Sequence, residues 1–130
     1  MQLKWSEKYS VGNEIIDVQH KMLFTIVNQL SKHIIADDGL EKIEETLEKM
    51  SIYAKMHFRT EEDLLFKLNY KELTKHKVLH ERFKKEIFRA AKEVISKKRM
   101  DTVVEVHKFL QSWLTNHILD EDVKYSKHLD

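Results

Sequence analysis

The 130-residue sequence contains no cysteine and no proline, and its only glycines are Gly12 and Gly39. Without cysteine, the chain has no disulfides, thiolate metal sites or thiol nucleophiles, so any metal must be bound by nitrogen and oxygen. Without proline and with so little glycine, few residues interrupt a helix. These absences favour long helices and restrict a metal site to histidine and carboxylate ligands.

An excess of charge of one sign and long apolar runs are missing as well. Lys+Arg number 23 against 22 Asp+Glu, so no basic surface marks a nucleic-acid or anionic membrane partner. No stretch reaches the roughly 18 apolar residues of a membrane span, and the N-terminus lacks the apolar segment of a secretory signal. We therefore expect a soluble cytoplasmic protein whose residues 1–130 form one domain.

Apolar residues recur at three- and four-residue spacing in four stretches, which predicts four amphipathic helices. We expect Asp17 to cap the start of the first helix. Asn69 is expected to cap the end of the second helix. A turn at Asp37-Asp38-Gly39 should join these two helices. The predicted helices span about 17–35, 40–68, 71–96 and 101–119.

Short loops between such helices make neighbours antiparallel, so the sequence predicts an all-α, up-down-up-down four-helix bundle. The residues before Asp17 are mixed in character and include Trp5 and Tyr9. We expect them to form an extended arm packed along the bundle, and the residues after the fourth helix to form a short helix or tail.

Histidine accounts for eight residues, and several of them fall on the apolar faces of the predicted helices. His57 and Glu61 are four residues apart, as are His76 and His80, so each pair points to one side of its helix. Such a pair can bind one metal ion from a single helix. Either pair alone is weak support, because a solvated helix face explains it equally well.

All four helices contribute a donor, and the donors alternate between helix starts and helix ends. An up-down bundle would bring these donors to one level along its axis. The donors are His20, His57, Glu61, His76, His80 and His117. Asp122 lies five residues after His117, about 140° around a regular helix. We therefore predict a loosened turn at 120–122 that folds Asp122 back to the site. On geometry alone Asp120 competes for this role, and Glu121 is the weakest candidate.

Seven donors exceed what one metal ion usually takes from a protein, so two ions are expected. If two carboxylates and one oxo or hydroxo group bridge the ions, each ion receives three oxygens. Sharing five histidines three to two then makes one ion six-coordinate and the other five-coordinate, with an open position. Iron, zinc, copper and nickel all suit such sulfur-free, imidazole-rich ligation.

Nearly the whole chain resembles the hemerythrin family, most closely its single-domain bacteriohemerythrins. The resemblance rests on the arm from Trp5 to Gly12, on His76 with His80, and on three motifs: Asp17-Val18-Gln19-His20, His57-Phe58-Arg59-Thr60-Glu61-Glu62, and Trp113-Leu114-Thr115-Asn116-His117 followed by Asp122.

The resemblance implies reversible O₂ binding at a non-heme di-iron centre. It places His76, His80 and His117 on the six-coordinate iron and His20 and His57 on the open one, with Glu61 and Asp122 as bridges. It also selects iron over zinc and Asp122 over Asp120, which spacing does not.

Leu23, Phe24, Trp113 and Leu114 lie one helical turn from His20 or His117 and are candidates for the O₂ pocket, although each could equally be bundle core. The remaining histidines, His33, His107 and His128, are predicted at the surface, and Glu62 is predicted to be solvated.

Oxygen storage, delivery or scavenging is the function that the resemblance favours. An oxygen or redox sensor acting through a partner protein is one alternative, and a di-iron enzyme acting on peroxide or nitric oxide is another. An enzyme is not expected, because the predicted site is imidazole-rich, shows no obvious substrate-contact group, and differs from the carboxylate-rich sites of ferritin-like di-iron proteins.

Overall fold

The computed structural model describes residues 2–37 and 39–129, and four long helices account for most of them. The helices are α1 (Glu14–Ala36), α2 (Leu40–Lys67), α3 (Leu73–Lys97) and α4 (Met100–His117). A π-helical turn, Ile118–Asp122, and a short α5, Val123–Tyr125, follow α4. No strand occurs among the described residues, so the predicted all-α bundle is confirmed.

Each helix packs against its neighbours in the sequence, and α1 also packs against α4, which closes the bundle. The main core fills the centre between the four helices. A smaller apolar cluster at one end of the bundle comprises Val11, Ile16, Leu65 and Tyr125. No helix within the described ranges is both long and apolar enough to cross a membrane.

The start of α1 differs from its prediction. The helix begins three residues earlier than Asp17, and Asn13 is its N-cap, with the side chain accepting a hydrogen bond from the Ile16 amide at 3.0 Å. The carboxylate of Asp17 accepts bonds from the Ser10 hydroxyl at 2.6 Å and the Val11 amide at 2.9 Å. The prediction that Asp17 caps α1 was therefore wrong, because this carboxylate fastens the arm to the helix.

The ends of α1 and α2 follow common C-terminal patterns. Asp37 ends α1 in the left-handed conformation, and Asp38 of the predicted turn lies outside the described residues. Leu68 is the C-cap of α2, and Asn69 follows it with a φ of 54°. The amides of Asn69 and Tyr70 bond back to the carbonyls of Phe66 and Leu65, which is a Schellman motif. Asn69 thus ends the helix as predicted, but from the position that follows the C-cap Leu68.

The predicted N-terminal arm is present and packs along the bundle, interrupted by one 3₁₀ turn, Glu7–Tyr9. The backbone of Leu3 both donates to and accepts from the Asn28 side chain, at 2.8 and 2.9 Å. Trp5 and Tyr9 pack against Phe24, with ring centroids 5.7 and 5.0 Å away. The arm therefore covers part of α1 within a few residues of His20.

Candidate metal centre

The seven predicted ligand side chains lie together at one end of the bundle. Each is buried, and the most accessible of them, His117, is only 7% exposed. Helix α1 contributes one of them, α2 and α3 contribute two each, and α4 with the turn after it contributes the last two: His20; His57 and Glu61; His76 and His80; His117 and Asp122.

Asp122 reaches the cluster because the helix loosens where the five-residue spacing requires it. Residues Ile118–Asp122 form a π-helical turn, closed by a bond from the Val123 amide to the Ile118 carbonyl. In such a turn residues five apart come to the same side. Asp122 Oδ1 consequently lies 3.1 Å from His117 Nε2.

The two competing acidic residues of this turn point elsewhere. Asp120 is exposed. The carboxylate of Glu121 lies 3.8 Å from Lys75 Nζ and 3.6 Å from Lys124 Nζ, away from the histidine cluster. The structure thus brings Asp122, rather than either neighbour, among the histidines.

Glu61 lies between two sets of imidazoles. Its Oε1 is 2.9 Å from His76 Nε2 and 3.0 Å from His80 Nε2. Its Oε2 is 3.6 Å from His20 Nε2 and 3.7 Å from His57 Nε2. One carboxylate therefore presents a different oxygen to each set.

Asp122 divides its oxygens in the same way. Oδ1 is 2.8 Å from His76 Nε2 and faces His117, whereas Oδ2 is 3.1 Å from His20 Nε2. The potential ligand atoms consequently form two groups, each with all its atoms within 4.8 Å of one another. One group holds three histidines and the other two, and both groups include Glu61 and Asp122.

Buried atoms without partners show that this cluster suits metal ions. The Nε2 atoms of His20, His80 and His117 and both carboxylate oxygens of Asp122 are inaccessible to solvent and make no well-aligned hydrogen bond. Buried polar atoms are normally hydrogen-bonded, since leaving one unpaired costs about 1–3 kcal/mol. Inward-facing imidazole nitrogens and carboxylate oxygens are the donors that first-row metal ions take without thiolates.

Burial and the charges of neighbouring side chains shift the pKa values of the ligand residues in opposite directions. Burial disfavours the charged imidazole of His20, but interaction with Asp122 and Glu61 outweighs burial and raises the pKa of His20 to about 9. The same opposing causes raise the pKa of His76 to about 10. The pKa of His57 falls to about 4, chiefly through burial. Despite their burial, Glu61 and Asp122 have pKa values well below the usual range because of the surrounding histidines.

Two outer hydrogen bonds orient ligand imidazoles, and neither was predicted. His57 Nδ1 donates to Gln19 Oε1 at 2.7 Å, and His80 Nδ1 donates to Glu62 Oε2 at 2.7 Å. Each bond fixes the tautomer in which Nε2 has a free lone pair toward the cluster. Glu62 belongs to neither ligand group, as predicted, but its carboxylate is only 22% exposed because it contacts His80. Its position next to Glu61 was the available signal, but contact with His80 depends on how α2 and α3 align.

Tyr125 is a third residue that sequence reasoning missed. It is fully buried, and its hydroxyl donates to Glu61 Oε2 at 2.7 Å. Burial and the nearby carboxylates of Glu61 and Asp122 raise the pKa of Tyr125. The hydroxyl therefore stays protonated and holds the Glu61 carboxylate in place.

The four pocket candidates all belong to the main core or pack against it. Leu23 and Leu114 are buried, and Phe24 packs beneath the arm against Trp5 and Tyr9. Trp113 stacks on His117, with centroids 4.4 Å apart and planes 10° apart, so it lies on the three-histidine side. Their role in an O₂ pocket stays a prediction.

The three other histidines are absent from both ligand groups of the described chain. His128 is exposed, as predicted. His33 and His107 are only half-buried rather than fully at the surface, and burial lowers the pKa of His107.

Comparison with known proteins identifies the family of this cluster. The family model of the hemerythrin HHE cation binding domain matches residues 11–129. The chain belongs to the hemerythrin family. A hemerythrin of this kind binds O₂ at a non-heme di-iron centre with histidine, glutamate and aspartate ligands, and the paired donor groups of this chain suit that cofactor.

Hemerythrin relatives match nearly the full length of the chain. A bacteriohemerythrin of Clostridium acetobutylicum is 32% identical, covering 93% of this chain and 96% of its own. A myohemerythrin of Theromyzon tessulatum is 30% identical, covering 97% and 92%. A wild-type hemerythrin crystal structure superposes with a TM-score of 0.87 at 26% identity and covers 99% of this chain and 98% of its own.

Proposed function

We propose that the seven side chains hold two irons, and that each of the two ligand groups holds one of them. His76, His80 and His117 would hold one ion and His20 and His57 the other, while Glu61 and Asp122 would bridge both. The observation that carries this proposal is the sharing of both carboxylates by the two groups. The group with His20 and His57 offers one donor fewer than the other group, so these residues would hold the ion that binds O₂.

A ferrous pair would supply the two electrons that O₂ takes up when it binds. The chain itself supplies the surroundings of the ion that binds O₂. Burial of His20 and His57 excludes water, and exclusion of water disfavours the charge separation that would release reduced oxygen. Leu23, Phe24, Trp113 and Leu114 would form the apolar walls.

Reversible binding would serve storage, delivery or scavenging of oxygen in the cytoplasm, with dioxygen as the partner molecule. A catalytic role is not proposed, because the ligand set is rich in imidazole, unlike the carboxylate-rich sites of ferritin-like di-iron proteins. The chain would act as one domain over residues 1–130.

An optical spectrum recorded with and without O₂ tests this function. The iron-loaded protein is expected to contain about two irons per chain and to show an absorption band that bleaches under anaerobic reductant and returns in air. His57→Ala should abolish the returning band, because the open ion loses one of its two nitrogen ligands. The matched change His33→Ala, at the other end of α1, should leave it intact, and equal effects of both changes would refute the assignment.

Metal uptake should release protons from the cluster. Below pH 8 the metal-free protein carries protons on His20 and His76, whose pKa values are about 9 and 10. Imidazoles must be neutral to bind metal, so loading with ferrous ions at pH 7.5 is expected to release the protons of these two side chains. An indicator dye in weak buffer would measure the release. The release should become smaller as the pH of loading rises toward 10, and a release that does not change with pH would contradict this explanation.

A further inference from the structure

Two ligand histidines donate outer hydrogen bonds to side chains of different charge. His80 Nδ1 donates to the carboxylate of Glu62 at 2.7 Å, and His57 Nδ1 donates to the amide oxygen of Gln19, also at 2.7 Å. His80 belongs to the three-histidine ligand group and His57 to the two-histidine group. The outer partner is therefore an anion in one group and a neutral amide in the other.

The surroundings of Glu62 direct its negative charge at His80. The His80 side chain is fully buried, and the Phe58 ring stacks on its imidazole with centroids 3.9 Å apart. Among the described residues, Glu62 makes no other hydrogen bond or ion pair. Charges interact strongly where water and counter-ions are scarce. The carboxylate therefore makes the Nε2 atom of His80 a more basic metal donor.

The two-histidine group has no such anion behind it. The amide nitrogen of Gln19 donates to Met56 Sδ at 3.6 Å, which leaves the amide oxygen toward His57. The other histidine of this group, His20, has a buried Nδ1 atom without a hydrogen-bond partner. Within the described chain, neither imidazole of this group therefore donates to an anion through Nδ1.

The Glu61 carboxylate adds a difference in the same direction. Its Oε2 atom, which faces the two-histidine group, accepts the hydrogen bond from the Tyr125 hydroxyl at 2.7 Å. Its Oε1 atom faces the three-histidine group instead. Donation by a hydroxyl withdraws electron density from the accepting oxygen, so Oε2 is the weaker metal donor. Strong donors stabilise ferric iron more than ferrous iron, because ferric iron carries the larger charge.

We propose that Glu62 is a positioning residue that stabilises the ferric state of the three-histidine ion through His80 and thereby tightens O₂ binding. This inference rests on the proposed function. When O₂ is taken up, each of the two ferrous ions loses one electron and O₂ accepts both. The three-histidine ion must lose its electron without binding O₂ itself, and Glu62 makes that loss more favourable. The Nδ1 proton of His80 stays in its hydrogen bond to Glu62.

Anaerobic spectroelectrochemistry of the iron-loaded chain measures the two one-electron potentials. Glu62→Gln keeps a hydrogen-bond acceptor for His80 but removes the charge. It should raise the lower potential by about 59 mV, which is a tenfold change in the equilibrium between ferric and ferrous iron. The O₂ pressure of half-saturation should rise about tenfold as well. Glu121→Gln is the matched control, because Glu121 is 19% exposed and pairs with Lys75 rather than with a ligand. It should move both potentials far less.

The converse change places a charge behind the other ion. Gln19→Glu should lower the upper potential by a similar amount, because the new carboxylate faces His57. The double variant Q19E/E62Q exchanges the two outer partners and should restore the sum of the two potentials. Azide shows which potential belongs to which ion. It is an anionic ligand for the position that O₂ takes, so it should lower the upper potential of the wild-type chain.

The outcomes separate this inference from the proposed function. A lower potential that Glu62→Gln leaves unchanged, or that Glu121→Gln raises equally, would overturn the role of Glu62. Azide that lowers the lower potential of the wild-type chain would overturn it too. If Glu62→Gln does not retain iron, the shift in Gln19→Glu decides. Wild-type chain that shows both potentials and the expected shifts but takes up no O₂ would refute the proposed function alone.

Discussion

Asp122→Asn is expected to remove both irons, whereas Asp120→Asn should leave about two per chain. An asparagine preserves the volume of the side chain but is a much poorer iron ligand than a carboxylate. Because Asp122 Oδ1 faces His76 and His117 and Oδ2 faces His20, the change weakens the sites of both ions. We expect a loss well beyond the roughly 10–100-fold that removal of an outer hydrogen-bond partner costs.

Iron content after dialysis, together with the optical spectrum, would measure this loss. Asp120 is the matched control because it has the same side chain, lies in the same π-helical turn and is exposed. Circular dichroism should show that both variants are folded. Iron binding that survives in Asp122→Asn but fails in Asp120→Asn would reverse the assignment of the seventh ligand.

This pair of residues also illustrates how far the sequence predicts the site. Six donors could be placed from helical periodicity, because their heights depend only on where helices start and end. The five-residue spacing of His117 and Asp122 predicted that the helix must loosen, and a π-helical turn is present there. Spacing did not decide between Asp120 and Asp122, since a turn of unknown shape can present either one.

Contacts between helices were beyond sequence reasoning. Gln19 meets His57 and Glu62 meets His80 only because α1, α2 and α3 align in a particular way. Tyr125 reaches Glu61 from 64 residues away through the turn that follows α4. The periodicity of apolar residues describes the faces of single helices. It contains no information on which polar side chains of two different helices come into contact.

The prediction that Asp17 is the N-cap of α1 was wrong for a related reason. Asn13 and Asp17 both have side chains that cap helices well. The choice between them depends on the arm, whose Ser10 hydroxyl and Val11 amide bond to Asp17. An aspartate occupied in this way cannot satisfy the first amides of the helix, and Asn13 does so instead.

Removal of the irons is expected to make the protein sensitive to alkali. In the metal-free cluster, protonated His20 and His76 balance the buried carboxylates of Glu61 and Asp122. The folded-state pKa values of these histidines, about 9 and about 10, exceed the ordinary value of 6.5. Their stabilisation is therefore complete below pH 6.5 and is lost as the pH rises through 9 and then 10.

The loss should be large, because two buried carboxylates remain without a counter-charge. We expect a decrease on the order of 5 kcal/mol in the free energy of unfolding between pH 7 and pH 10.5, out of the roughly 5–15 kcal/mol typical of a domain. His57 acts in the opposite sense. Its folded-state pKa of about 4 destabilises the folded chain as the pH falls below 6.5. Metal-free protein should thus be most stable near neutral pH.

Thermal unfolding followed by circular dichroism, with and without iron at pH 7 and pH 10.5, would measure this difference. The loaded protein should lose far less stability, because metal ions balance the carboxylates and the imidazoles are already neutral. Glu61→Gln is the informative variant, since it removes one buried negative charge and should reduce the alkaline loss of the metal-free chain. If the metal-free and loaded forms lost stability equally, the charge balance would not lie in this cluster, and the surface lysines would account for the loss.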